Sequence, residues 1–341
     1  MKPDKIQRTS LTEAIIVRRD YPKNIKSDDK HLFKSAIEQT VPGSDLLTID
    51  GAVILGNGWV WSDANVVREA FNPHRQPDAR KKRLKGRLRL FLSNLQRQQS
   101  SEGLWISDVW SYNYYHWLTD TIPRLFLARK NGVTAQLYLS KICINPKFIP
   151  ISLELLGENK PKYIKHDLAS IRFEKLFLPT YAGEVGNNHS PTIRAVAEKF
   201  RQPWAKTTPP KRRVYISRKM APNRLVANED EILPILDKFN VEPVCFEKLS
   251  FTEQIELAAS CELIIAPHGA GLTNIMFMPE GGNVIEFHPS NVEINQCYFN
   301  LSHSMRHSYQ YLIADSIDNK SNMTLNPAAV EQCLATALDH S

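Results

Sequence analysis

Apolar and polar positions change period along the chain, and the changes mark out its elements. Between residues 46 and 62, three apolar runs (Leu46 to Ile49, Gly51 to Gly56, Trp59 to Ser62) are punctuated by Gly56 and Gly58. This is the pattern of short strands folded as a hairpin. Helical spacing follows over 113–131, then a strand over Gln136 to Ser140 and a helix over Phe148 to Leu156. Strands at 163–165 and 175–179 and a helix over 191–204 complete the first half. The polar, proline-bearing stretch 205–213 reads as a linker. Beyond it the alternation is regular: strands at 214–217, 242–246, 263–266 and 283–287, helices at 229–239 and 250–260, and a short helix at 273–277. Strands alternating with helices of this length predict right-handed βαβ units on a parallel sheet.

At 341 residues the chain exceeds the usual size of one core, so two α/β domains are expected. Hydrophobic content of 42% and charged content of 23% are those of an ordinary globular protein. No apolar run approaches the roughly 20 residues of a membrane-spanning helix, and the polar start carries no signal core. A cytoplasmic protein is therefore expected. The five cysteines are scattered, with no metal-ligand spacing, as suits reduced apolar residues.

The net charge of +7 is concentrated between Arg80 and Arg89, interleaved with leucines. Such a stretch is equally an amphipathic basic helix on an anionic membrane or glycan and a solvated linker beside one apolar face. No nucleic-acid-binding module accompanies it.

Three stretches could carry chemistry. Pro267-His-Gly-Ala-Gly ends a strand just before a helix, where glycines let the backbone approach a ligand and helix amides attract phosphate. Alone, it reads more simply as a glycine turn with a satisfied core histidine. Ser217, Arg218 and Lys219, with Arg224 beyond, place cations at a strand end of the same sheet, suited either to phosphate oxygens or to solvent. His116, Asp120 and Arg124 are spaced four apart, which stacks them on one face of a continuous helix. Pro123 interrupts that face. A histidine beside a carboxylate makes a proton acceptor, and an ion-pair ladder would use the same spacing.

Together these stretches resemble one family. His116, Trp117, Asp120, Pro123 and Arg124 resemble the N-terminal signature of glycosyltransferase family 61. The runs Tyr215-Ile-Ser-Arg, Phe246-Glu-Lys-Leu-Ser-Phe-Thr-Glu-Gln, His268-Gly-Ala-Gly-Leu-Thr-Asn and Ile285-Glu resemble its donor domain. The likeness spans about residues 45 to 290.

The resemblance implies a GT-B type α/β fold, two Rossmann-like domains facing each other across a cleft. The expected division is an acceptor-side domain over 1–204, a nucleotide-sugar donor domain over 205–320 and a helical tail over 321–341. It implies inverting transfer of a sugar from a nucleotide-sugar donor to a hydroxyl of a glycan or glycolipid, with no metal. The lack of an Asp-x-Asp motif at a strand end agrees, and protein cations and amides would then meet the diphosphate charge.

Donor binding is expected from Arg218, Lys219, Arg224, His268, Gly269, Ala270, Gly271, Asn274, Glu247 and Glu286, with Glu286 on the ribose. Asp120 is the first choice for catalytic base and His116 the second, with Tyr115, Trp117 and Arg124 on the acceptor side. Lack of an anchor and of paired cysteines suggests a compact bacterial-type member of capsule or surface-polysaccharide synthesis, with peripheral contact to an anionic membrane. A dinucleotide-dependent oxidoreductase is the rival enzyme, but the G-x-G-x-x-G fingerprint is missing. A non-catalytic glycan- or membrane-binding module is the other rival; it would ignore nucleotides.

Overall fold

A computed structural model describes residues 5–63, 65–71, 97–166, 169–204 and 210–339, with Leu88, Leu90 and Phe91. The basic stretch from Arg80 to Arg89 lies outside the described residues, Leu88 excepted, as do 205–209 of the expected linker. The chain divides into two compact units, Met1–Ile15 with Val41–Thr192 and Ile16–Thr40 with Ile193–Ser341. Residues 16–40 thus group with the C-terminal half, although the expected division kept 1–204 together.

The first unit is built on a nine-stranded mixed sheet. Its parallel part runs Lys162–Ile164, Leu137–Ser140, Arg97–Trp105, Ser170–Pro179. Ser170–Pro179 also pairs antiparallel with Ser44–Asp50 and Val53–Leu55, which joins the predicted N-terminal hairpin to the sheet. The antiparallel part makes this unit more than a plain βαβ repeat. Trp105, Phe173, Leu47 and Ile49 are fully buried in its core.

The second unit carries the regular alternation. Its sheet runs Glu242–Val244, Arg212–Ile216, Cys261–Pro267, Asn283–Pro289, Ser308–Ser316, Met323–Thr324, all parallel except the last. Numbered in chain order, the five parallel strands lie 2-1-3-4-5. The order therefore reverses between Arg212–Ile216 and Cys261–Pro267, and in open α/β sheets ligands bind beyond the carboxyl ends of strands at such a switch.

Alternation along each strand sends Leu263, Ile265, Ile285 and Phe287 into a core shared with Ile232, Leu236 and Leu334 of the helices Glu229–Lys238 and Pro327–Leu338. Full burial of each such side chain contributes roughly 1.5–3 kcal/mol. Glu286 and His288 point to the opposite face. Ser250 and Glu253 form a reciprocal capping box that starts the helix Phe251–Ala259.

All five cysteines are free, and four are buried. Among the described residues no helix is long and apolar enough to cross a membrane.

Candidate functional site

In the second unit, the strand Cys261–Pro267 delivers His268 and then the eight-residue 3-10 helix Ala270–Phe277. The first bond of that helix runs from the Leu272 amide to the Gly269 carbonyl (3.0 Å). The amides of Ala270 and Gly271 precede it and have no acceptor within the helix. Gly269 is extended (φ 168°), so its need for glycine is steric rather than conformational: a Cβ there would overlap the Arg218 guanidinium. Gly271 likewise sits against Ile216, whose Cγ2 lies 3.2 Å from where a Cβ would stand.

Arg218 leaves the adjacent strand and is held by the Asn223 carbonyl (3.1 Å) and side-chain oxygen (3.2 Å). Arg224 adopts the left-handed region (φ 56°) and donates to the His268 carbonyl at 3.2 Å. Burial, and then the charge of Arg224, pull the Arg218 guanidinium below its usual range, while Glu247 pulls the other way. Two cations gathered beside a glycine turn are electrostatically unfavourable until an anion joins them.

Other expected donor residues sit differently. Lys219 is exposed and pairs with Glu229 (3.1 Å) and Asp230 (3.3 Å), at the start of the next helix and not at the glycine turn. Asn274 is buried, and its amide donates to the Gly271 carbonyl (2.9 Å) and Gln254 Oε1 (3.1 Å). Gln254 in turn donates to the carbonyls of Phe246 and Leu249. This chain braces the turn and the exposed Glu247 beside it, so Asn274 shapes the site from below.

Glu286 corrects the sequence expectation of a ribose contact. It is 0% exposed, with Oε1 2.5 Å from His268 Nδ1 and Oε2 2.7 Å from the donating Tyr309 hydroxyl. His288 Nε2 lies 3.3 Å from Oε2 and 3.1 Å from that hydroxyl. Burial would raise the Glu286 carboxyl, but His288 and His268 more than offset it and hold it at about 2. His268, Glu286 and His288 offer potential ligand atoms within 4.8 Å of one another. Their separations, with Tyr309 completing the set, are those of a hydrogen-bond network. The sequence reading missed His288 and Tyr309; the i, i+2 spacing of Glu286 and His288 is the signal that could have found the first.

In the first unit, Asn113 caps a helix by accepting from the amides of Tyr115 and His116. The helix widens into a π turn over Trp117–Thr121 before α-geometry resumes at Ile122–Lys130. Pro123 sits at that resumption and has no N–H to offer the Thr119 carbonyl; the Asn188 side chain donates to it at 3.3 Å instead. Such insertions recur at functional sites.

The π turn keeps His116 and Asp120 together, with Nδ1 2.8 Å from Oδ2. The Asp120 side chain is 6% exposed and the His116 side chain 20%. Burial pushes the Asp120 carboxyl up, and the hydrogen bond from His116 opposes the rise. With its proton on Nδ1, His116 presents a bare Nε2, which has no hydrogen bond among the described residues. Trp110 packs 5.3 Å from the imidazole.

Arg124 makes no direct hydrogen bond to this pair, although the charge of Asp120 acts on its guanidinium. It is 1% exposed, and its guanidinium donates to the carbonyls of Pro179 (2.8 Å) and Ile106 (2.5 Å). Trp117 is also buried, its indole donating to Ser152 Oγ at 2.7 Å, and Tyr115 is 7% exposed. These three expected acceptor contacts are core residues that anchor the helix.

The comparisons with known proteins identify the family of the chain. A model of the glycosyltransferase 61 family matches residues 114–285, just over half the chain, from the helix of His116 to the strand of Glu286. An EGF domain-specific O-linked N-acetylglucosamine transferase of Drosophila melanogaster is 37% identical over 100 residues, 28% of this chain and 19% of that protein. The protein of that name in Mus musculus is 32% identical over 95 residues, 26% of this chain and 18% of its own. A protein O-linked-mannose beta-1,4-N-acetylglucosaminyltransferase 2 of Xenopus laevis is 31% identical over 124 residues, 35% of this chain and 21% of its own. The chain thus aligns with about a fifth of each relative's length. With the family match spanning both groupings, the chain belongs to the glycosyltransferase 61 family of sugar-transferring enzymes.

Proposed function

We propose that the chain transfers a sugar from a nucleotide-sugar donor to a hydroxyl of a glycan or glycolipid, with inversion and without a metal. The observation that carries the donor half is the packing of Arg218 onto Gly269, with Arg224 on the His268 carbonyl, at the switch point of the second unit's sheet. Two guanidiniums, the His268 ring and the leading amides of a helix are the donor set that a diphosphate needs as its leaving-group charge develops. A GT-B type fold class belongs to the same proposal.

The base in this reading is His116. The acceptor hydroxyl gives its proton to Nε2 as its oxygen attacks the anomeric carbon opposite the departing diphosphate. Asp120, behind the ring, holds the tautomer and stabilises the imidazolium. Asp120 fits the role of base less well, because its carboxylate is buried and already engaged by His116 and Thr119.

The names of the aligned relatives make UDP-N-acetylglucosamine the first donor to test. Disulfide-free cysteines are the ground for proposing a compact, bacterial-type member, although the aligned relatives quoted are animal proteins. Titrating UDP, GDP, CDP and dTDP into the parent and into Arg218→Ala tests the donor half. The variant should lose affinity for the nucleotide that the parent binds, and equal affinity would remove Arg218 from the site.

A further inference from the structure

We infer that the aromatic step formed by Trp110 and Tyr112 beside His116 is the acceptor subsite, and that it takes the C–H face of a pyranose ring, so that the accepting hydroxyl is carried by a sugar. This rests on reading His116 as the base. Both side chains lie on the loop between the strand Arg97–Trp105 and the helix of His116. The Trp110 ring lies 5.3 Å from the imidazole, tilted by 38°. The Tyr112 ring is nearly parallel to that of Trp110, with 18° between planes and centroids 6.3 Å apart. At that separation the rings are offset rather than overlaid, which spreads their surface instead of hiding it.

The surface is open. Tyr112 is 48% exposed and Val109 46%, and Trp110 is partly exposed. Burying an apolar side chain of this size contributes roughly 1.5–3 kcal/mol. A loop that gathers several of them at the surface, next to a histidine with a bare nitrogen, marks a binding site.

Hydrogen bonds fix the loop in this form. Asp108 is buried; its Oδ1 accepts from the Trp110 amide (2.8 Å) and the Ser111 hydroxyl (3.2 Å), and its Oδ2 from the Tyr181 hydroxyl (2.5 Å). Ser111 Oγ also meets Thr121 Oγ1 of the π turn at 2.9 Å. The Asn113 amide donates to the Trp110 carbonyl (2.8 Å), and Asn113 itself caps the helix that carries His116. One set of bonds thus positions the platform and the imidazole together, so little ordering is left to be done on binding. Asp108 and Ser111 are positioning residues, and Trp110 and Tyr112 are the ones that touch the sugar.

A pyranose matches this shape. Its C–H groups gather on the ring faces and carry the small positive charge that the negative face of an aromatic ring attracts, while its hydroxyls project from the rim. A sugar laid on Trp110 and Tyr112 leaves its rim hydroxyls to water and can turn one toward His116. The serine or threonine side chain of a peptide has no such face.

Saturation-transfer NMR of the full chain with the methyl pyranosides of glucose, galactose, mannose, xylose and N-acetylglucosamine tests this. At least one glycoside should bind and receive saturation on the C–H protons of one ring face. Trp110→Ala and Tyr112→Ala should each weaken that glycoside about tenfold, as loss of an aromatic contact does. Trp110→Phe, which keeps an aromatic face, should retain most of the affinity. UDP-N-acetylglucosamine should bind all three variants as it binds the parent.

Should Trp110→Ala fail to fold by circular dichroism, Tyr112→Ala, at an open position, decides. Failure of every pyranoside to bind, or glycoside affinity unchanged in the folded alanine variants, overturns the inference. So does transfer to a serine or threonine peptide that proceeds equally well in Tyr112→Ala. In each of these cases a His116→Gln variant that binds the sugar nucleotide but does not turn over leaves the reading of the base standing. A His116→Gln variant as active as the parent removes that reading, and the inference with it.

Discussion

His116 Nδ1 and Asp120 Oδ2 lie 2.8 Å apart, with the carboxylate the more deeply buried of the two. Their roles separate by substitution. His116→Gln removes the proton acceptor, and turnover should fall roughly 10²–10⁴-fold with nucleotide affinity unchanged. Asp120→Asn leaves the ring but loses its tautomer control, so turnover should fall less and its pH profile should shift. An Asp120→Asn variant that is dead beside an active, folded His116→Gln would return the base to Asp120.

Gly269→Ala places a methyl group into the Arg218 guanidinium. Nucleotide affinity should drop about tenfold while the unfolding midpoint changes little, because the side chain displaced is at the surface of the site. Arg218→Ala should lose about 1.5–3 kcal/mol of nucleotide binding, as a charge-assisted hydrogen bond does. The double variant should lose less than the sum, since both substitutions act on one contact. Additive losses measured by calorimetry would separate the two residues.

The stability of the second unit should fall in mild acid through His307. Its Nε2 donates to the Ile275 carbonyl (2.9 Å), which leaves Nδ1 buried without a hydrogen-bond partner among the described residues. Burial therefore pushes the imidazole down to about 4, below its ordinary 6.5. Between these values the unfolded chain holds the extra proton, so stability is full above about pH 6.5 and declines toward pH 4. The slope is at most about 1.4 kcal/mol per pH unit. Melting curves across that window should be flatter for His307→Gln, which keeps an N–H but does not titrate there. Identical slopes would exclude His307 as the source.

Most of the second unit was legible in the sequence because its strands alternate with helices and three of them, Arg212–Ile216, Cys261–Pro267 and Asn283–Pro289, carry buried apolar runs. The strand Ser308–Ser316 was not, since its polar Ser308, Gln310 and Asp315 break the apolar pattern. Arg97–Trp105 was missed for the same reason: the run Arg97-Gln-Gln-Ser-Ser-Glu has no apolar face, and pairing with Ser170–Pro179 decides its state.

At the site, spacing correctly brought His116 to Asp120 and the glycine turn to Arg218. It erred where a long side chain could turn either way. Arg124 was expected beside Asp120 and found carbonyls in the core. Lys219 was expected at the turn and found Glu229 and Asp230. Glu286 looked like a ligand contact because strand-end position says nothing of which face of the sheet is covered.

Release of UDP from UDP-N-acetylglucosamine, followed with a glycan or glycolipid acceptor in the presence of EDTA, tests the central claim most directly. The parent should release UDP and form a product of inverted anomeric configuration. Arg218→Ala should fail by weakened binding, and His116→Gln by lost turnover with binding intact. Full loss of activity in EDTA with rescue by manganese or magnesium, or His116→Gln and Arg218→Ala variants as active as the parent, would contradict it.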